Sequence, residues 1–251
     1  MSVGPQLRDA PAPWKLKGRT WAFLVSPSGS ATSFPAGWSD PIEVDALATG
    51  GEFIGGVGVV QIVSYDESPV GPYNELIYVP GRWKYSDGTK AFRITRIYVS
   101  TKESTMNGRR NWNTPKHLAK FDIKTNPSDG SVDISVSHPN AASPFFQASV
   151  QRVLGLSALS IPTSTSFLGQ YFSLMQPPLP VGTDPEEVAT EQWAYLTPIL
   201  KGSASVRKLI PKMNNRIGDG VGFPALIPWT WGFAMDRVEM DFGRATMYDA
   251  V

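Results

Sequence analysis

Gly108-Arg109-Arg110-Asn111-Trp112-Asn113-Thr114-Pro115-Lys116-His117-Leu118-Ala119 is the stretch on which both fold and chemistry turn. Its Thr-Pro-Lys junction predicts the start of a short helix, with Thr114 as N-cap and Pro115 at the first helical position. Lys116 then falls in the first turn, where free N–H groups and the helix dipole make the surroundings positive. An ammonium is disfavoured there, and a neutral lysine amine is a nucleophile toward carbonyl carbon. The same residues also fit a solvated lysine behind an ordinary Thr-Pro helix start, and taken alone they fit that better.

Outward from this stretch the chain reads mostly as strands. Upstream, Ala91 to Ser100 is the clearest, with Phe92, Ile94, Ile97, Tyr98 and Val99. Leu76 to Val79 is another, entered through the turn-rich run Tyr65 to Glu75. Phe53 to Val63 is apolar with glycines at 55, 56 and 58, which predicts bends or bulges where a strand curls. Trp14 to Val25 carries Trp14, Leu16, Trp21, Phe23 and Val25 at strand spacing. Residues 1 to 13 read as a surface-draped arm, and Pro27 to Asp40 as a Ser/Pro/Gly loop. Downstream, Phe121 to Ile123 and Val132 to Val136 are strands joined by an Asn-Pro-Ser-Asp-Gly turn. Phe145 to Leu154 and Ser166 to Leu174 are strand-like. Asp184-Pro185-Glu186-Glu187 predicts a short helix over Gly182 to Gln192. Leu196 to Leu200 and Ser205 to Ile210 form a further strand pair, and a last strand begins near Pro228. With no repeat and no linker, the expectation is one β-rich domain over residues 1–251.

Composition removes several function classes. A net charge of +1 gives no field for nucleic acid or a membrane surface, and no apolar run approaches the ~20 residues of a membrane helix. Cysteine is absent and histidine occurs only at 117 and 138, so thiolate chemistry is excluded and no metal site is expected. No motif for a cofactor is present. The N-terminus lacks a signal-peptide core, so a soluble cytoplasmic protein is expected.

Four short motifs, in order along nearly the whole chain, resemble the acetoacetate decarboxylase family and its wider superfamily. Gly108-Arg109 precedes Pro115-Lys116-His117-Leu118 at the family's separation between Gly-Arg and Pro-Lys-Lys-Leu. Gly71-Pro72-Tyr73-Asn74-Glu75 is similar to a Gly-x-Tyr-x-Glu segment before a strand. Pro13-Trp14-Lys15 with Arg19 resembles a Pro-aromatic-Lys opening, and Lys208-Leu209-Ile210-Pro211 is a weaker match. The resemblance implies an α+β, β-rich single domain whose curled antiparallel sheet forms a cone-like barrel with few short helices and the active site inside. It implies that Lys116 is the Schiff-base lysine, that Glu75 is an acidic site residue, and that Arg19 meets a substrate carboxylate. Family members commonly form homo-oligomers.

The chain also departs from the family. His117 stands where the decarboxylases carry a second lysine, Arg110 where a glutamate follows the Gly-Arg pair, and Val60-Gln61 where another glutamate falls. Depression of the Lys116 pKa is therefore expected from burial and the helix N-terminus. Glu75 is the candidate general acid or base, with turn capping as its other reading. His117 is an added acid/base candidate, or else a helix-surface imidazole. Arg19, Tyr73, Trp112 and Gln61 are the candidate substrate contacts, Arg19 being otherwise an outward-facing charge. The expected partner is a small keto acid or ketone, and the expected reaction is decarboxylation of a β-keto acid. An imine-based aldolase-dehydratase or cyclase on a larger keto substrate is the alternative, and a non-catalytic binding protein is a third reading.

Overall fold

The computed structural model describes residues 7–26 and 34–250. Residues 1–6 of the expected arm and 27–33 of the expected loop lie outside the described residues.

Among the described residues, seventeen strands divide between two sheets. The larger holds β1 (Trp14–Val25), β3 (Gly58–Glu67), β4 (Tyr73–Val79), β7 (Arg96–Val99), β8 (Lys116–Leu118) and β9 (Lys120–Thr125). It also holds β10 (Val132–Ser137), β11 (Phe146–Arg152), β12 (Ile161–Ser164), β15 (Ile199–Pro211) and β16 (Pro228–Phe242). The smaller holds β2 (Glu52–Gly55), β5 (Arg82–Lys84), β6 (Lys90–Phe92), β13 (Leu174–Gln176), β14 (Trp193–Leu196) and β17 (Thr246–Tyr248). The helices are α1 (Val44–Ala48) and α2 (Lys102–Trp112), with two 3-10 segments between β11 and β13. None is long and apolar enough to cross a membrane.

The larger sheet runs β8-β7-β4-β3-β1-β16-β15-β11-β10-β9, with β12 paired to β15. Its two outermost strands, β8 and β9, are consecutive in the chain and separated only by Ala119. One residue cannot span an open sheet, so the edges meet and the sheet curls into a nearly closed barrel. The expected β-rich, barrel-like fold is therefore present. All pairs in this sheet are antiparallel except β7–β8.

Alternation along β1 explains how the sheet is buried on both faces. Trp21, Phe23 and Val25 join a cluster with Ile62, Tyr78, Ile134, Phe146 and Ala234, which gathers side chains from around the barrel. Trp14 and Leu16 join a second cluster, with Val63, Tyr65, Tyr73, Ile97, Trp112 and Met240. Between them lies Gly18, where a Cβ would stand 2.1 Å from the Ser64 carbonyl oxygen, so only glycine admits this approach of β1 to β3.

Several expected elements change. The Ala91–Ser100 strand is broken into β6 and β7, because Arg93 turns inward to donate to the carbonyls of Leu47, Thr49 and Gly50. Leu196 to Leu200 and Ser205 to Ile210 are not a strand pair, since Ile199 onward is the single strand β15. Ser166 to Phe172 is 3-10 rather than strand. Asp184-Pro185-Glu186-Glu187 is a turn closed by the Glu187 N–H on the Asp184 carbonyl, and no helix follows.

Candidate active site

The largest correction falls on the opening stretch. Thr114-Pro115 does not start a helix; it follows the end of one. Thr101 caps α2 by accepting from the Ser104 N–H at 3.4 Å, Glu103 lies in the first turn, and Arg109 and Arg110 lie in the last. Asn113 ends the helix in the left-handed conformation, φ 53°, with its N–H on the Arg109 carbonyl at 2.9 Å. Pro115 then blocks continuation, and Lys116 begins β8, paired in parallel with Ile97 of β7. Lys116 is therefore not in the first turn of a helix that Thr114 begins.

Alternation in this three-residue strand separates its two chemical residues. Lys116 points to the face of Val63, Tyr65 and Tyr73, while His117, paired with Tyr98, points to the other.

On the first face Lys116 is 4% exposed. Its Nζ donates to Glu75 Oε2 at 2.7 Å and to Ser104 Oγ at 3.1 Å, and lies 5.3 Å from the Tyr73 ring centre. The Tyr65 hydroxyl donates to the other oxygen of Glu75 at 3.1 Å. Burial, and then the Glu75 charge, hold the Tyr65 and Tyr73 phenols well above their ordinary pKa, so both remain proton donors. Apart from Thr114, the walls of the cavity before the amine are otherwise apolar: Trp14, Leu16, Ile77, Ile97, Trp112 and Phe242. They bound a cavity of about 20 Å³, room for roughly one water molecule. Lys116 and Glu75 are the only charged residues among the described lining.

Gly108 explains how an ammonium-bearing chain passes a helix. Lys116 lies across α2 between Ser104 and Gly108, one turn apart, and a Cβ at Gly108 would meet Lys116 Cδ at 2.4 Å and Cε at 2.6 Å. Because the clash is with a movable side chain, Gly108→Ala is expected to keep the fold and displace the amine. Adduct trapping with a ketone and borohydride should slow by ten-fold or more, with the melting temperature within a few degrees of wild type. An unchanged trapping rate would show that the amine does not depend on this passage.

On the second face His117 Nδ1 meets Glu187 Oε1 at 2.6 Å and Nε2 meets Glu43 Oε2 at 3.1 Å. Burial opposes the charged ring, but the bonds to Glu187 and Glu43 outweigh it and raise its pKa to about 9. It is therefore an imidazolium at neutral pH, buried on a strand and not on a helix surface. Arg109 is buried with it, bonded to Glu43 and, through Nε and Nη2, to the carbonyls of Val188 (2.9 Å) and Pro180 (2.7 Å). This cluster ties α1, α2, β8 and the 184–187 turn together.

Of the residues singled out by sequence, the cavity thus brings together Lys116, Glu75, Tyr73 and Trp112. It does not bring in the others. Arg19 is half-buried with its guanidinium 5.7 Å above the Trp21 ring, on the opposite face of β1 from Trp14 and Leu16. Gln61 donates to Thr20 Oγ1 at 3.0 Å and does not line the cavity. His117 is held across the strand. Sequence reasoning missed Tyr65, Ser104 and Thr114; Thr101 and Glu103 were the available signal for α2, and hence for Ser104.

No family model matches the sequence, and no curated protein matches it significantly. Solved structures do. Acetoacetate decarboxylase from Legionella pneumophila superposes with a TM-score of 0.61 at 11% identity, over 98% of this chain and 92% of that one. An acetoacetate decarboxylase-like enzyme from Sphingomonas wittichii gives 0.62 at 11% identity, over 97% and 95%. The enduracididine biosynthesis enzyme MppR, complexed with the condensation product of pyruvate and imidazole 4-carboxaldehyde, gives 0.61 at 12% identity, over 95% and 90%. The chain therefore has the fold of the acetoacetate decarboxylase-like enzymes.

Proposed function

We propose that this chain is a Schiff-base enzyme that decarboxylates a small β-keto acid through Lys116. The observation that carries the reading is the buried amine at the end of an apolar cavity, 2.7 Å from a carboxylate able to take its proton. Transfer of one proton to Glu75 converts the ammonium–carboxylate pair into amine and carboxylic acid. The amine adds to the keto carbon, one of its N–H protons passes to the oxygen to give a carbinolamine, and the hydroxyl leaves as water with the proton from Glu75, giving an iminium. The carbon–carboxylate bond then breaks, its electron pair passes into the iminium to form an enamine, and carbon dioxide departs. Glu75, left as a carboxylate, takes a proton from water and delivers it to the enamine carbon, regenerating an iminium that water hydrolyses to ketone and free lysine.

Two features favour decarboxylation over the aldol, dehydration or cyclisation alternative. No arginine lines the cavity among the described residues, so a carboxylate that must persist through the reaction has no partner beyond the reacting lysine. A carboxylate that leaves as neutral carbon dioxide benefits from apolar walls, because its charge is dispersed in the transition state. Self-association is supported by Leu154, Leu159, Ile161 and Phe167, each more than half exposed in a stretch without a charged residue.

Carbon dioxide release from acetoacetate, set against condensation of pyruvate with an aldehyde, tests this reading. Glu75→Gln is expected to slow adduct trapping and to lower kcat by about 10²–10⁴. Full turnover in that variant would remove Glu75 from the mechanism, and condensation without carbon dioxide release would favour the alternative.

A further inference from the structure

Thr114 is 2% exposed, lines the cavity two residues before Lys116, and its hydroxyl has no hydrogen-bond partner. A buried hydroxyl left unpaired is costly, and such groups are rare unless something absent from the free protein completes them. The surroundings offer little else. Gly108 lies against the hydroxyl, a Cβ there standing 3.0 Å from Oγ1, and the neighbouring walls are Ile94, Ile97 and Trp112. Ser104, the other buried hydroxyl beside the amine, is already engaged by Lys116 Nζ.

We propose that Thr114 is a further catalytic residue, whose hydroxyl donates to the substrate oxygen as Lys116 adds to the carbonyl. This rests on the Schiff-base reading and deepens it. As the carbon–nitrogen bond forms, the carbonyl π electrons move onto oxygen. That oxygen needs a donor before Glu75 supplies the proton with which it leaves as water. Thr114 keeps its own proton throughout, stabilising the developing charge and then the neutral carbinolamine. The hydroxyl lines the same cavity as the amine and loses no existing bond when it turns.

Removing this hydroxyl should move stability and activity in opposite directions, which a merely structural threonine would not do. Thr114→Val keeps the shape and deletes an unpaired polar atom, so the melting temperature should hold or rise by a few degrees. The rate of adduct trapping with acetoacetate and borohydride, and kcat, should fall about 10–10³-fold, and Thr114→Ser should restore most of both. Thr114→Val with wild-type trapping and turnover overturns the proposal, as does a fall in both stability and rate that Thr114→Ser does not reverse. Failure of the wild-type protein to form any adduct would instead sink the Schiff-base reading, so the two failures are distinguishable.

Discussion

Lys116→Ala should abolish turnover and, at the same time, loosen the fold. Losing the only nucleophile of a covalent mechanism is expected to cost about 10⁴-fold or more in kcat, or ~5.5 kcal/mol of transition-state stabilisation at 1.36 kcal/mol per decade. The structural cost follows from Glu75, which is 3% exposed and would lose its 2.7 Å partner. Breaking a buried pair by removing one member costs ~3–5 kcal/mol, because a charge is left uncompensated. Lys116→Ala combined with Glu75→Gln should therefore recover part of the stability and none of the activity, and equilibrium denaturation of the single and double variants reads the coupling. Strict additivity of the two stability changes would mean that the pair is not an interacting unit.

The second large effect lies on the other face of the same strand. His117 is held at about 9 in the folded chain against an ordinary 6.5, so its contribution is complete below pH 6.5 and is lost as pH rises through 9. That difference corresponds to about 3 kcal/mol at 1.36 kcal/mol per unit. At the acid side Glu187, brought down to about 2 from 4.5 as His117 outweighs its burial, loses its share as pH falls toward 2. These are two views of one interaction and do not add. His117→Ala leaves Glu43 with Arg109 alone and Glu187 with only the Thr183 and Asp184 N–H groups and the Thr183 hydroxyl, and should destabilise by ~3–5 kcal/mol at neutral pH. Unfolding midpoints measured from about pH 6 to 10 should fall steeply for wild type and much less for the variant. Parallel curves would contradict an imidazolium in this position.

The physical role of that cluster is to hold β8. A three-residue strand at the end of a sheet has few backbone bonds of its own, yet it presents the candidate nucleophile. The sequence marked both residues of the Lys116-His117 pair for chemistry, but a strand sends neighbours to opposite faces. Only geometry could assign one to the cavity and the other to a structural ion cluster.

What was legible in the chain was its local patterning. Alternating apolar residues located β1, and the Asn-Pro-Ser-Asp-Gly turn placed β9 and β10, because these signals rest on neighbours a few residues apart. Thr114-Pro115 misled because proline is welcome both just inside a helix start and just beyond a helix end. The αL conformation of Asn113, which decides between them, is a property of the folded backbone. Arg19 misled for a related reason. Its distance from Pro13 agreed with the family motif, while the face it occupies depends on where β1 passes from one apolar cluster to the other. Glu75 and Lys116 lie 41 residues apart, and the β3–β4–β7–β8 pairings that join them are long-range. Tyr65 reaches Glu75 for the same reason, since β3 and β4 pair Val63 with Glu75 and Tyr65 with Tyr73.

Mass spectrometry of the wild-type protein after incubation with acetoacetate and borohydride tests the central claim most directly. The predicted result is a single stable adduct, mapped to the peptide containing Lys116. No adduct, or one carried by a different lysine, would contradict it.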